Sequence, residues 1–245
     1  DSWEDMYAAI GYGGLTAVKA VGRIRDDINR AAKAAEKATV PVCFHLDHAT
    51  DFELIKKAID AGFSSVMYDG SVHPFEENIK NTKAISEIAH KNGVSVEAEL
   101  GHVGGAEGGA DDGIEEMYTR VEQVNDFIER ADIDALAVAI GTAHGQYKKK
   151  PKLDINRLAD IYAISEKPLV LHGGSGLSDD DFKNTVRDGI AKINIFTDMC
   201  VAGSQASAQA LAEGKDYLEM RNARVAAIKE TVMNKMRLFG SVGKA

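Results

Sequence analysis

Short apolar runs rich in β-branched residues recur along the chain at 40–48, 63–70, 94–101, 135–145, 168–174 and 190–198. The stretches between them carry helical spacing, as in Phe52, Ile55, Ala58 and Ile59, and again in Ile79, Ile85, Ile88 and Ala89. Strand then helix, repeated, implies a parallel sheet with helices covering it. Six strands do not close the (β/α)8 barrel that this pattern resembles. Residues 1–38 offer one helix-like segment with Val18, Val21, Ile24 and Ile28 and no clear pair of strands. The expectation is therefore a TIM-type (β/α)8 barrel lacking its first one or two strands, or else an open sheet. No composition shift divides the chain, so residues 1–245 read as a single domain with a C-terminal helical tail from about 216 to 238. Capping boxes are expected where Thr50 precedes Glu53 and Ser178 precedes Asp181.

Composition narrows the partners. Lysine and arginine total 29 against 38 aspartate and glutamate, a net charge of −9 that repels nucleic acid and anionic membranes. No apolar run reaches the roughly 18 residues that span a bilayer. The N-terminus lacks the pattern of a signal peptide, and Cys43 and Cys200 stand alone rather than in CxxC spacing. A cytoplasmic protein acting on a small solute is the expectation.

Polar residues gather at the C-terminal ends of the apolar runs: Asp47 and His48, Asp69, Glu97 and Glu99, His144, His172, and Asn194 with Thr197. In a parallel barrel that rim is where active sites assemble. His48, His144 and His172 come from three different strands and suit the three nitrogen ligands of a catalytic zinc with one position open. For any one of them alone, a hydrogen-bonded structural histidine is the commoner case. Glu97 and Glu99 are two apart, so they share a strand face, and either a buried ion pair or a metal would meet their charge. The turn 171–176 (LHGGSG) and the segment 192–198 (KINIFTD) offer backbone amides with Ser175 and Thr197 hydroxyls at helix starts, a natural phosphate cradle. The glycine-rich stretch 104–113 reads as an active-site loop.

Taken in order, HLDHA, SVMYDGS, VEAELG followed by GGAE, AIGTAHGQY, LVLHGGSGL and KINIFTD resemble the successive motifs of class II fructose-bisphosphate and tagatose-bisphosphate aldolases, from about Val40 to Asp198. The resemblance implies a zinc-dependent lyase that cleaves fructose 1,6-bisphosphate to dihydroxyacetone phosphate and glyceraldehyde 3-phosphate. His48, His144 and His172 would ligate zinc, with Asp69 and Glu99 near an alternative metal position. Asp47 would be the acid/base, and Glu107 would handle the proton on the carbanion carbon. Gly145, Gly173, Ser175, Asn194 and Thr197 would hold the dihydroxyacetone-phosphate half. A monovalent cation (Na+ or K+) and a homodimer or homotetramer are implied in the same way. Phe196 and Gly108 depart from the family pattern, and only Arg221 and Arg224 offer themselves for the far phosphate. Tagatose 1,6-bisphosphate, another aldehyde half such as a deoxy-phosphogluconate type, and, in a different class, metal-dependent hydrolysis are the alternatives.

Overall fold

The structure, a computed structural model, describes residues 30, 33–104, 117–145 and 151–244. Among the described residues six strands alternate with helices: β1 His45–Ala49, α1 Phe52–Asp60, β2 Ser65–Tyr68, α2 Phe75–Lys91, β3 Ser95–Leu100, α3 Val124–Ala131, β4 Ala135–Val138, α4 Ile155–Ile164, β5 Leu169–Leu171, α5 Asp179–Arg187, β6 Ile190–Ile193, α6 Thr197–Ala212 and α7 Tyr217–Leu238. The α/β alternation expected from the apolar runs is present, and each strand overlaps one of those runs. The helix-like segment near Val18 to Ile28 lies outside the described residues. The described chain forms two compact units, one comprising the residues up to Glu99 with Phe127–Ala135, the other Leu100–Asp126 with the residues from Leu136 onward.

In the first unit β1 pairs with β2, and β2 with β3, both in parallel. Val66, Met67, Val96 and Ala98 are fully buried, as expected for parallel strands covered on both faces. β1 begins only at His45; Pro41 cannot donate to a ladder, and Val40 and Val42 are half exposed, so the first part of its apolar run is not strand. The start of α1 also differs from expectation. Asp51, not Thr50, is the N-cap, and its carboxylate accepts from the Glu53 amide at 2.8 Å. Two consecutive capping residues compete there, and the extended backbone of Asp51 decides the outcome. Inside α2 the buried Asn78 donates to the Glu99 carbonyl at 2.9 Å and accepts from the Thr82 hydroxyl at 3.1 Å, which fixes the C-terminal end of β3.

In the second unit β4, β5 and β6 pair in parallel, and the Ser178–Asp181 capping box opens α5 as the sequence indicates. The tail is a 22-residue helix, α7, started by a second capping box between Asp216 and Glu219. α7 packs on α6 at Gly203, where an added Cβ would stand 3.1 Å from Ile228 Cδ1 and 3.2 Å from Arg224 Cγ. Lys235 of α7 pairs with Asp198 in the first turn of α6 at 2.8 Å and lies 4.3 Å from the centre of the Phe182 ring. No helix among the described residues is long and apolar enough to cross a membrane.

Candidate functional site

Strand alternation would send Asp47 and His48 to opposite faces of β1. The pairing of β1 with β2 is irregular between Leu46 and Ala49, and His48 takes a left-handed φ of +45°. Such a conformation costs a β-carbon residue about 1–3 kcal/mol and persists where its surroundings over-determine it. Its amide leaves the ladder for Met67 Sδ at 3.4 Å. This irregularity re-aims His48 relative to Asp47, the usual effect of a bulge beside a functional site.

His48 Nδ1 lies 2.9 Å from Asp69 Oδ2, and Asp69 accepts in turn from the Ser71 amide at 3.1 Å. One donor atom each from His48, Asp69 and Glu99 falls within 4.8 Å of the others, and Glu99 is 1% exposed. Four-coordinate zinc places its ligand atoms about 3.4 Å apart. An imidazole and two carboxylates brought this close, with one carboxylate fully buried, are a donor set that fits a divalent cation and repels itself without positive charge.

Burial works against a charged His48, but the Asp69 hydrogen bond and the negative charges of Asp47, Glu99 and Asp69 outweigh it and raise the imidazole to about 9. Burial likewise opposes an ionised Asp69, and the hydrogen bonds from His48 and Ser71 prevail, lowering it to about 2. In the metal-free protein His48 therefore carries an extra proton at neutral pH, and a metal ion binding there must displace it. We expect zinc binding to release one proton from His48 and the apparent affinity to rise about tenfold per pH unit between pH 7 and 9. Calorimetric titrations in buffers of different ionisation enthalpy measure this, and a pH-independent affinity with no proton release would refute it.

The second unit assembles the other group. His172 is fully buried, and its ring centre lies 6.0 Å from that of His144 in an edge-on arrangement. His144 is held by its amide, which donates to the Gly104 carbonyl at 2.9 Å. Asn194 Nδ2 lies 3.2 Å from His172 Nδ1, and its Oδ1 accepts from Lys192 Nζ at 2.8 Å. A cavity of about 450 Å³ is lined by Gly145, Ser175, Thr197, Asp198, Gln205 and Thr231, among others. Three of the residues expected at a phosphate, Gly145, Ser175 and Thr197, are thus brought together. Ser175 is not at the start of its own following helix; it reaches α6, where its Oγ accepts from the Phe196 and Asp198 amides at 3.3 Å each. The hydroxyl supplies the cap that Phe196, the N-cap residue of α6, lacks. Arg221 and Arg224 are exposed on α7 and do not line the cavity. Glu107 and Gly108 lie outside the described residues.

Gly173 shows why the turn needs glycine. Its φ is +66°, and an added Cβ would stand 2.5 Å from the Ala143 carbonyl oxygen. Gly173→Ala combines a strained φ with a backbone clash, and we expect it to lower stability by about 2 kcal/mol or more. Thermal unfolding would shift down by roughly 5 °C, and an unchanged midpoint would count against this geometry.

Two residues near these groups escaped the sequence reading. Asn78 sits mid-helix and looks like any surface polar residue until packing buries it. His45 opens the HLDH run as the first of its two histidines with no role to mark it, and only the register of β1 against β2 sets it beside Ser65.

Comparison with known proteins decides the family. The profile of fructose-bisphosphate aldolase class-II matches residues 15–244. The chain belongs to the class II fructose-bisphosphate aldolase family. The fructose-bisphosphate aldolase of Staphylococcus epidermidis is 43% identical over 238 residues, covering 95% of this chain and 79% of that protein. The 6-phospho-5-dehydro-2-deoxy-D-gluconate aldolase of Bacillus subtilis is 45% identical over 210 residues, covering 84% and 72%. Among solved structures, the YdjI aldolase of Escherichia coli K12 superposes with a TM-score of 0.80 at 39% identity, over 90% of this chain and 78% of that one. As a class II aldolase the chain is a lyase acting on a sugar phosphate, in a family that is generally metal-dependent, which answers the hydrolase alternative.

Proposed function

We propose that the chain catalyses reversible, zinc-dependent cleavage of fructose 1,6-bisphosphate to dihydroxyacetone phosphate and glyceraldehyde 3-phosphate on a (β/α)8 scaffold. The observation that carries this reading is the cluster of His48, Asp69 and Glu99, with Asp47 one residue away on the same distorted strand. In the proposal His48, His144 and His172 are the nitrogen ligands. Asp69, bonded to His48 Nδ1, would steady that ring, and Asp69 with Glu99 would stand near an alternative metal position. Bound zinc supplies Lewis acidity at the ketone oxygen, worth several kcal/mol to a developing negative charge.

The chain's own residues do the rest. Asp47 takes the proton from the C4 hydroxyl as the C3–C4 bond breaks. Glu107 returns a proton to the carbanion carbon of the ketone fragment. Gly145, Gly173, Ser175, Asn194 and Thr197 hold the ketone phosphate, with the positive dipole end of α6 favouring the anion. A monovalent cation (Na+ or K+), a homodimeric or homotetrameric assembly and a cytoplasmic location complete the proposal.

A second substrate is supported by a specific likeness, since a relative of similar identity is a 6-phospho-5-dehydro-2-deoxy-D-gluconate aldolase. Coupled cleavage assays on the zinc-loaded protein with that compound, fructose 1,6-bisphosphate and tagatose 1,6-bisphosphate separate the readings. We expect kcat/KM for the fructose ester to exceed the others by at least about tenfold, a difference of about 1.4 kcal/mol. Preference for either competitor by the same margin would replace the fructose assignment.

A further inference from the structure

β1 carries a histidine that the mechanism above leaves without a task. His45 Nδ1 lies 2.8 Å from Ser65 Oγ across the β1–β2 pairing. Its Nε2 is buried without a hydrogen bond and stands 3.7 Å from Asp47 Oδ1 and 3.7 Å from Glu97 Oε2. Glu97 is nearly fully buried at 3% side-chain exposure, while Asp47, at 47%, faces outward.

Residues 45 and 47 share a face of β1, so this approach follows from the strand itself. When the Ser65 hydroxyl donates to Nδ1, the ring proton resides on Nε2 and points into the gap between the two carboxylates. A shift of less than about 1 Å brings that N–H into hydrogen-bond range of either one. A carboxylate held by one oxygen has the direction of its other oxygen set. The 2.8 Å contact of Nδ1 with Ser65 keeps the ring from turning away.

We infer that His45 is a positioning residue for aldol cleavage: anchored by Ser65 through Nδ1, it gives its Nε2 proton to Asp47 Oδ1 and holds that carboxylate in the orientation that receives the C4 hydroxyl proton. The inference rests on the aldolase reading of Asp47. It assigns His45 no contact with substrate and no share in metal binding.

The test uses the zinc-loaded full chain with His45→Asn and His45→Gln. Asparagine keeps an acceptor near Ser65, its Oδ1, and removes the far donor, and glutamine places an amide nitrogen near the Nε2 position. Two reactions are followed: cleavage, and solvent deuterium exchange into dihydroxyacetone phosphate, which needs Glu107 and the metal but involves no C4 hydroxyl. In His45→Asn we expect cleavage kcat to fall about 10- to 100-fold, as for a misplaced catalytic group. KM, zinc content and the exchange rate should stay within about twofold, showing that only transition-state positioning was lost. His45→Gln should recover about tenfold over His45→Asn.

Unchanged cleavage in His45→Asn overturns the inference. So does a parallel fall of cleavage and exchange, which marks a structural role, or loss of zinc, which marks a metal role. Wild-type protein that exchanges but does not cleave fructose 1,6-bisphosphate refutes that substrate alone, and the comparison then runs on 6-phospho-5-dehydro-2-deoxy-D-gluconate. Wild-type protein that does neither refutes the parent reading and this inference with it.

Discussion

Stripping the protein with a chelator should lower fructose 1,6-bisphosphate cleavage by at least about 1000-fold, and added zinc should restore it. The size follows from the chemistry. Cleavage leaves an electron pair on the ketone fragment, a Lewis acid stabilises such charge by several kcal/mol, and about 4 kcal/mol is a thousandfold in rate. The cluster of His48, Asp69 and Glu99 makes recovery by metal the natural outcome, because its two carboxylates and imidazole lie within 4.8 Å of one another. Coupled assays before and after dialysis against chelator, with zinc measured by atomic spectroscopy, provide the readout. Activity that survives complete removal of metal would point to an amine nucleophile, and borohydride trapping of a substrate adduct would then identify the lysine.

Asp47→Asn should lower cleavage kcat by about 10² to 10⁴, the range of a lost general base. The change is isosteric, and Asp47 is 47% exposed, so folding should be little affected. Removing this charge also removes one of the influences that raise the His48 imidazole. The proton competing with zinc is then held less tightly, and zinc affinity at neutral pH should hold or improve. That combination, intact metal with a collapsed rate, separates loss of a proton acceptor from loss of the metal site. A kcat within tenfold of the parent would remove Asp47 from the mechanism.

Much of this arrangement could be read from residue order because strand physics is local. Glu97 and Glu99 were placed on one face by period-two alternation, and both are buried. The histidines fell at the ends of apolar runs, where a parallel sheet puts its chemistry. What the sequence hid depends on register and backbone. Asn78 reads as a surface helix residue, and its task of holding the Glu99 carbonyl exists only once α2 packs against β3. His45 and Ser65 are 20 residues apart, and nothing local pairs them. The left-handed φ of His48 is not written in the sequence, since histidine, though enriched there among residues with a β-carbon, adopts that region only uncommonly. The role of Ser175 was half visible: a hydroxyl near a helix start was expected, but the helix it caps is α6, more than twenty residues downstream.

The last long helix changes how the protein must be made. Thr231 of α7 lines the cavity beside Ser175 and Thr197, and Lys235 braces Asp198 at the mouth of α6. A nascent chain that has already exposed every strand still lacks one wall of this cavity until Lys235 has left the ribosome. If this cavity takes the ketone phosphate as proposed, phosphate binding should arise late in synthesis, with the growing chain unable to use that ligand as a folding aid.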